Sequence, residues 1–305
     1  MVKKSVFHSP RHSAVGTSFG DRLFGAICFT CITLLAIVCF YPVMNVVAKA
    51  FSNKTDVAAG RVVGIWPLHP TLDSFAYVIN SSRFISAIKN TVFVAVAASA
   101  LHLFFTMLVA YAVSRRDFPF SRTLMFAYIF TMMFNGGMIP TYFAVKQAGL
   151  TDTLWAIILP NVVNAYYLVL MRNYIEGLPR ELEEAALIDG ASQVKFLWHV
   201  ITPLCLPTLA TTLLFVAVDA WNCYFNAVLY LSSRENVMLQ VYLREILISI
   251  QTTEMSTLGD SALTGLPAEC IQCACVVAST LPIVIVYPFL QKYYVKGLTL
   301  GAVKG

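Results

Sequence analysis

Residues 181–207 read ELEEAALIDGASQVKFLWHVITPLCLP, the most charged stretch between two very apolar parts of the chain. Four carboxylates precede a glycine here: Glu181, Glu183, Glu184 and Asp189. A polar segment between two membrane-crossing runs has to face water on one side of the bilayer. The stretch therefore predicts a membrane protein whose residues 181–207 meet an aqueous compartment and a soluble partner there.

The composition supports a membrane protein. Of the 305 residues, 58% are hydrophobic and only 12% are charged, and the mean hydropathy is +0.71. A soluble protein has about 45–50% apolar and about 25% charged residues, because its water-facing surface requires charge. We therefore predict an all-α polytopic membrane protein that contacts the lipid bilayer.

The apolar residues form runs that are long enough to cross the hydrocarbon core, which takes about 20 helical residues. We predict six transmembrane helices within one membrane domain at 23–290, flanked by polar tails at 1–22 and 291–305. The predicted spans are 23–48, 84–113, 123–139, 153–171, 201–231 and 268–290. The first of these is expected to end near Tyr41 and Pro42.

Six spans place both termini on one side of the membrane. The segments on that side carry 13 of the 21 Lys and Arg residues, and such an excess marks the cytoplasmic side. The pattern predicts cytoplasmic termini, a cytoplasmic segment at 172–200 and an extracytoplasmic segment at 232–268. Because these basic residues flank spans, the net charge of +5 does not indicate nucleic-acid binding.

Polar side chains recur inside two of the predicted spans. A carboxylate at the centre of a membrane helix costs about 2.5–3.5 kcal/mol on insertion scales, so it is expected to face a wet cavity or a partner helix. Amides offer donors and acceptors that suit sugar hydroxyls, and they also tie helices together. The candidate substrate-pathway residues are Asn161, Asn164, Tyr167, Asp219, Trp221, Asn222, Tyr224 and Asn226.

The third predicted span ends in a helix-breaking sequence. Asn135, Gly136 and Gly137 are followed by Pro140, and paired glycines before a proline interrupt a helix. Irregular backbone at membrane depth has to be buried or line water. These four residues are therefore a candidate gate, with an ordinary loop exit as the alternative.

Catalysis and metal binding receive little support. An intramembrane enzyme needs paired catalytic groups, and only His102 and Asp219 are available; packing against a neighbouring helix is the favoured role of His102. Residues 16–20 match G-x-S-x-G without a preceding strand. Cys270, Cys273 and Cys275 have metal-like spacing without a second cluster. We predict no catalytic residue, no metal site and no enzyme.

The opening stretch has the signals of a helix, a sharp turn and a second helix. Pro179 suits a first helical turn, Gly190 permits the left-handed conformation that ends a helix, and Ser192 is a good N-cap. Ala185 and Ala186 leave a surface that another chain can approach closely. A push on the first helix would then move the fifth span as a rigid body. The alternative is a surface helix that only connects two spans.

The spacing of Glu184-Ala185-Ala186, Gly190 and Pro203 resembles the EAA motif of permeases from binding-protein-dependent ABC importers. Thr202 departs from the leucine often found there. The resemblance covers nearly the whole chain and is closest to the carbohydrate-uptake branch, near the shorter maltose-permease subunit. The runs NGGMIPTYFAVKQAGL and RNYIEGLPRELEEAALIDGAS resemble permeases of complex-oligosaccharide systems, some of which import alginate or pectin fragments.

The resemblance implies a type I ABC importer permease fold in a bacterial inner membrane, working by alternating access. The partners would be a homologous second permease, an extracytoplasmic solute-binding protein touching 232–268, and two cytoplasmic ATPases that bind ATP and Mg. No G-x-x-x-x-G-K-[ST] occurs here, so this chain would bind no cofactor. The coupling helix, within 176–200, would use Glu181, Glu184, Ala185, Ala186, Asp189 and Gly190. Import of peptides or amino acids is the alternative.

Overall fold

The computed structural model describes residues 19–115, 117–179, 181–255 and 268–302, and every regular element in those ranges is helical. Residues 1–18 and 303–305 of the predicted tails and residues 256–267 of the segment 232–268 lie outside these ranges. Besides a 3₁₀ turn at Leu159–Asn161 and a π turn at Leu197–Ile201, the helices are α1 Phe19–Ala50, α2 Lys54–Ala58, α3 Asp73–Asn80, α4 Ser82–Ser114, α5 Ser121–Met133, α6 Met138–Gln147, α7 Trp155–Ile158, α8 Ala165–Glu176, α9 Glu181–Ile188, α10 Gln193–Phe196, α11 Thr202–Leu204, α12 Leu206–Trp221, α13 Phe225–Tyr230, α14 Leu239–Met255 and α15 Ala268–Ala302.

Three described helices are long and apolar enough to cross a membrane by themselves: α1, α4 and the part of α15 at Glu269–Pro288. Two bent helix pairs also qualify when each pair is taken as one span. The first pair comprises Trp155–Asn161 and Ala165–Glu176, bent by 44°. The second comprises Gln193–Leu204 and Leu206–Trp221, bent by 78°. These five candidates match all the predicted spans except the third. Helices α5 and α6 together occupy the position of the predicted third span.

Helix α4 lies at the centre of the bundle. It packs against α8 and α12 along its length and against α3, α5 and α14 near its ends. One side of it is buried in three successive apolar clusters, through Phe84 and Ala87, then Val94, then Met107 and Ala110. We call the end of the bundle that holds α14 the α14 end, and the opposite one the α9 end.

Several element ends differ from the sequence-based prediction. Helix α1 continues through Pro42 to Ala50 instead of ending near that proline. Helix α15 continues to Ala302 with Pro282 and Pro288 inside it, so residues 291–302 prolong the last helix beyond its apolar part at Glu269–Pro288. A proline only removes one hydrogen bond and bends a helix, which a long apolar helix tolerates when its neighbours hold it.

A single carboxylate organises the loops at the α14 end. Asp152 has a positive φ of 60°. Its Oδ1 accepts hydrogen bonds from the backbone N–H groups of Ser232 and Ser233, at 2.9 and 2.8 Å. Its own N–H donates to the carbonyl of Tyr230 at 2.8 Å, and its carbonyl accepts from Asn236 at 2.6 Å. Asp152 therefore fastens the turn before α7 to the loop after α13.

These bonds favour the ionised carboxylate, so they lower the pKa of Asp152, the bond from Ser233 contributing most. A lowered pKa means that the attachment is complete at neutral pH and is lost only as pH falls through that lowered value.

Asp152→Ala is expected to speed hydrogen exchange at Ser232 and Ser233, because both amides lose their acceptor. Asp152→Asn should protect them partly, since Asn keeps one acceptor oxygen and tolerates positive φ. Equal exchange in wild type and Asp152→Ala would contradict this role.

Candidate functional site

A cavity of about 200 Å³ opens among α4, α7, α8, α12 and α13. Its wall includes Asn161, Asn164, Tyr167, Asp219 and Asn226, five of the eight residues that the sequence marks as a substrate pathway. They come from two interrupted segments, 155–176 and 206–230, and three of them lie at or beside an interruption. Asn161 ends the 3₁₀ turn, Asn164 precedes α8, and Asn226 lies in the first turn of α13.

His102 belongs to the same wall, although the sequence favours a packing role for it. The ring is only 1% exposed and lies edge-on to Tyr167, with 5.3 Å between ring centroids. Its Nδ1 is 3.2 Å from the carbonyl oxygen of Asn161, which can only accept, so Nδ1 carries the hydrogen. In the neutral ring Nε2 is then a bare acceptor, and it has no hydrogen-bond partner among the described atoms.

The other three pathway candidates point elsewhere. Trp221 is buried in an apolar cluster between α4, α14 and α15. Asn222 donates to the carbonyl of Val218 at 3.0 Å and lies 3.4 Å from Gln240. The ring of Tyr224 contacts the guanidinium of Arg244, 5.2 Å from the ring centroid. Residues 222–224 are not helical, so alternate side chains leave the cavity, and the helical periodicity assumed from sequence fails there.

The predicted gate residues lie where α5 ends and α6 begins. Residues 134–137 interrupt the helix, and Gly137 has φ of 86°, which favours glycine. The Oδ1 of Asn135 accepts from the N–H of Gly137 at 2.8 Å. Gly136 and Pro140 are also exposed, and Pro140 lies in the first turn of α6, where a missing N–H is harmless.

The opening stretch folds into a helix, a turn and a second helix. Gly190 has φ of 68°, and the N–H of Ala191 returns to the carbonyl of Ala186 at 2.9 Å. The Oγ of Ser192 accepts from the N–H of Lys195 at 3.3 Å, so it caps α10. Pro179 lies before α9, whose first described residue is Glu181, so the first-turn position that the sequence favours for it is not adopted.

The faces of α9 differ in exposure. The coupling candidates Glu181, Glu184, Ala185, Asp189 and Gly190 are exposed, whereas Ala186 packs partly against the apolar cluster at the α9 end. Ile188 and Val194, on either side of the turn, are 85% and 66% exposed. The turn therefore presents two apolar side chains beside carboxylates and small residues, a combination suited to a protein partner.

Two contacts that the sequence does not reveal connect this segment to α4. Arg115, directly after α4, forms an ion pair with Glu183, and the hydroxyl of Tyr111 donates to the side-chain oxygen of Gln193. A cavity of about 530 Å³ lies beside these contacts, lined also by Glu176 and Pro179. The 78° bend at Cys205 means that α10 and α12 are not one rod. The two contacts connect α9 and α10 to α4 as well as to the fifth span.

The family model described as binding-protein-dependent transport system inner membrane component matches residues 118–300. The chain belongs to this family. The polygalacturonan/rhamnogalacturonan transport system permease protein YtcP of Bacillus subtilis (strain 168) is 38% identical to it, over 93% of this chain and 99% of that protein. Protein LplC of the same organism is 41% identical, over 87% of this chain and 89% of that protein.

A solved chain shares the fold of this permease. It comes from a bacterial ABC transporter involved in the import of the acidic polysaccharide alginate. The TM-score is 0.85 at 34% identity, over 91% of this chain and 98% of that one. The ABC importer permease fold predicted from the EAA motif is therefore confirmed. The chain is a multi-pass inner-membrane transport subunit that works with a substrate-binding protein, and hydrolysis of ATP belongs to a separate subunit.

The pair of Arg115 and Glu183 makes a local prediction for the permease. Arg115→Gln and Glu183→Gln should each speed hydrogen exchange across α9, by about fivefold, because a partly buried ion pair contributes about 1 kcal/mol. The double variant should exchange no faster than Arg115→Gln alone, since that variant has already lost the pair with Glu183. Arg172→Gln is the control, because Arg172 pairs with Glu176 inside α8. Additive effects of the two single changes would show that these residues do not act as a pair.

Proposed function

We propose that this chain is one of two homologous permease subunits of an importer for uronate-containing oligosaccharides or polysaccharides, such as pectin-type or alginate-type chains. The observation that carries the proposal is the cavity that gathers Asn161, Asn164, Tyr167, Asp219 and Asn226 within the membrane domain. Amides and a carboxylate bond sugar hydroxyls, and an aromatic face packs on a sugar ring. Support for the acidic class comes from the YtcP relative and the alginate-importer chain.

Two surfaces favour a second permease subunit. The apolar window of α1 has none of its residues buried within this chain. The break around Asn135, Gly136, Gly137 and Pro140 is exposed, although irregular backbone at membrane depth must be covered or line water. A homologous subunit packed on these surfaces would cover both and would place the break at a shared gate.

The remaining partners fit the two ends of the molecule. The exposed turn of Ile188, Gly190 and Val194 would dock into one of two cytoplasmic ATPases, which bind ATP and Mg. The loop fastened by Asp152 would form part of the surface for the extracytoplasmic binding protein. This arrangement places both termini in the cytoplasm, in agreement with the excess of Lys and Arg on that side. ATP-driven closure would then move α9 and alternate access to the cavity.

The whole transporter in proteoliposomes tests the substrate class. With its partner permease, ATPases and binding protein present, labelled oligogalacturonides or oligoalginates should accumulate when ATP is supplied on the ATPase side. Labelled oligopeptides and amino acids should not accumulate. ATP-dependent uptake of peptides alone would overturn the carbohydrate assignment and support the alternative solute class.

The turn at Gly190 makes the coupling role testable. Gly190→Ala forces an alanine into the left-handed region, at a cost of roughly 1–2 kcal/mol, and should lower ATP-driven uptake about tenfold. Nothing lies within 4 Å of a Cβ at this position, so strain rather than a clash is responsible. Gly190→Asn is the matched control, because Asn adopts this conformation more readily, and it should keep most of the activity. Equal uptake by both variants would argue against coupling through the turn.

The cavity residues make a separate prediction. Asp219→Ala and Asn226→Ala should each lower uptake about tenfold, because each removes a hydrogen-bonding group from the substrate wall. The exposed Asn173 on α8 lies outside the cavity, so Asn173→Ala should retain normal uptake. The ATPase rate without substrate reports an intact complex in all three variants. Normal uptake by both cavity variants would remove this cavity from the pathway.

A further inference from the structure

The negative charge of a carboxylated sugar does not match the charges in the wall of this cavity. Its wall, as far as the described residues define it, contains the carboxylate of Asp219 and the acceptor nitrogen of His102, and neither Lys nor Arg. Acceptors suit sugar hydroxyls but repel a uronate carboxylate, and like charges brought together disfavour binding. The cavity wall alone therefore fits the hydroxyl face of such a substrate and leaves its negative charge without a cationic partner.

The segment between α12 and α13, which forms part of the cavity wall, also contacts the cationic side chain of Arg244. Cys223 and Asn226 line the cavity, whereas Asn222 and Tyr224 face α14. On α14, Gln240 lies 3.4 Å from Asn222, and Arg244 lies over the ring of Tyr224. Positions four apart share one helix face, so both α14 side chains meet the same short segment. Arg244 therefore lies against the same short segment that supplies Cys223 and Asn226 to the cavity wall.

Arg244 contacts the ring of Tyr224 and is exposed. Within the described part of the chain it forms no ion pair. The adjacent carboxylate, Glu245, is instead paired with Arg83 at 2.5 Å. A guanidinium resting on an aromatic face keeps its in-plane N–H donors available, and their fork matches a carboxylate.

We propose that Arg244, supported by Tyr224 and flanked by Asn222 and Gln240, binds a uronate carboxylate of the substrate at the outer rim of the cavity. The subsite rests on the proposed function, and it specifies how the two kinds of substrate group are divided. Hydroxyls meet the amide and carboxylate wall, whereas the acidic group meets the guanidinium. Because contact with Tyr224 already restricts the side chain of Arg244, ligand binding costs it less conformational entropy.

The test uses the complete transporter and oligogalacturonides of one length with increasing methyl esterification, which removes carboxylate charge but keeps the sugar backbone. Uptake by each variant is divided by wild-type uptake of the same substrate, so that preferences of the binding protein cancel. Arg244→Gln should lower uptake of the unesterified substrate about tenfold, because a charge-assisted hydrogen bond is lost. The uptake ratio of Arg244→Gln to wild type should rise towards one as esterification increases. Arg244→Lys should recover uptake only partly, since a lysine lacks the fork.

Arg234→Gln is the matched control, because Arg234 is another exposed arginine at the α14 end. Its ratio to wild type should not depend on esterification. An Arg244→Gln ratio that is constant across the series would show a structural role and overturn the subsite, as would unchanged uptake. Failure of the wild-type transporter to import any oligogalacturonide or oligoalginate would instead overturn the proposed function, and the subsite with it.

Discussion

The fold depends on one constraint: backbone groups that helix breaks release inside a membrane must find partners within the protein. The described spans break at several points, and a polar side chain stands at each. The Oδ1 of Asn135 accepts a hydrogen bond from the N–H of Gly137, and the Oδ1 of Asn164 accepts one from the N–H of Tyr166. The ring of His102 donates a hydrogen bond to the carbonyl of Asn161. Near the bend at Cys205, the hydroxyl of Tyr174 donates to the carbonyl of Leu204 at 3.1 Å. These bonds allow irregular backbone to surround a cavity.

Helix α4 serves this constraint because it is continuous where its neighbours are broken. Its Thr91 accepts from the first N–H of α14 at 2.9 Å, and its Asn90 donates to the carbonyls of Glu235 and Val237. An unbroken helix satisfies its own backbone, so its side chains are available to neighbouring segments. The same helix ends at Ser114, and the next residue, Arg115, pairs with Glu183 of α9. One continuous helix therefore touches α14 and the loop before it, the cavity wall and the start of the α9 segment.

The sequence predicts those features whose causes are local. Apolar run length locates the spans, and Gly190 and Ser192 specify the turn and the cap because φ preference and capping involve only a few neighbouring residues. Contacts between distant parts of the chain leave no such pattern, so the pairs of Arg115 with Glu183 and Tyr224 with Arg244 required the structure. The sequence shows which spans contain asparagines. It does not show which of these side chains bond the backbone and which line the cavity, because that depends on where each helix breaks.

The size of the cavity bears on how specificity is divided. At about 200 Å³ it is smaller than the roughly 300–1,000 Å³ of pockets that enclose a whole ligand. A chain of sugars needs a wider opening, so under the proposed function this permease would contribute one wall. The break before α6 exposes irregular backbone that has to be covered by protein or line water at membrane depth, whereas the apolar surface of α1 can face lipid or another helix. In the proposed importer, two homologous but different subunits would carry different polar groups, so each would add its own contacts to one sugar chain.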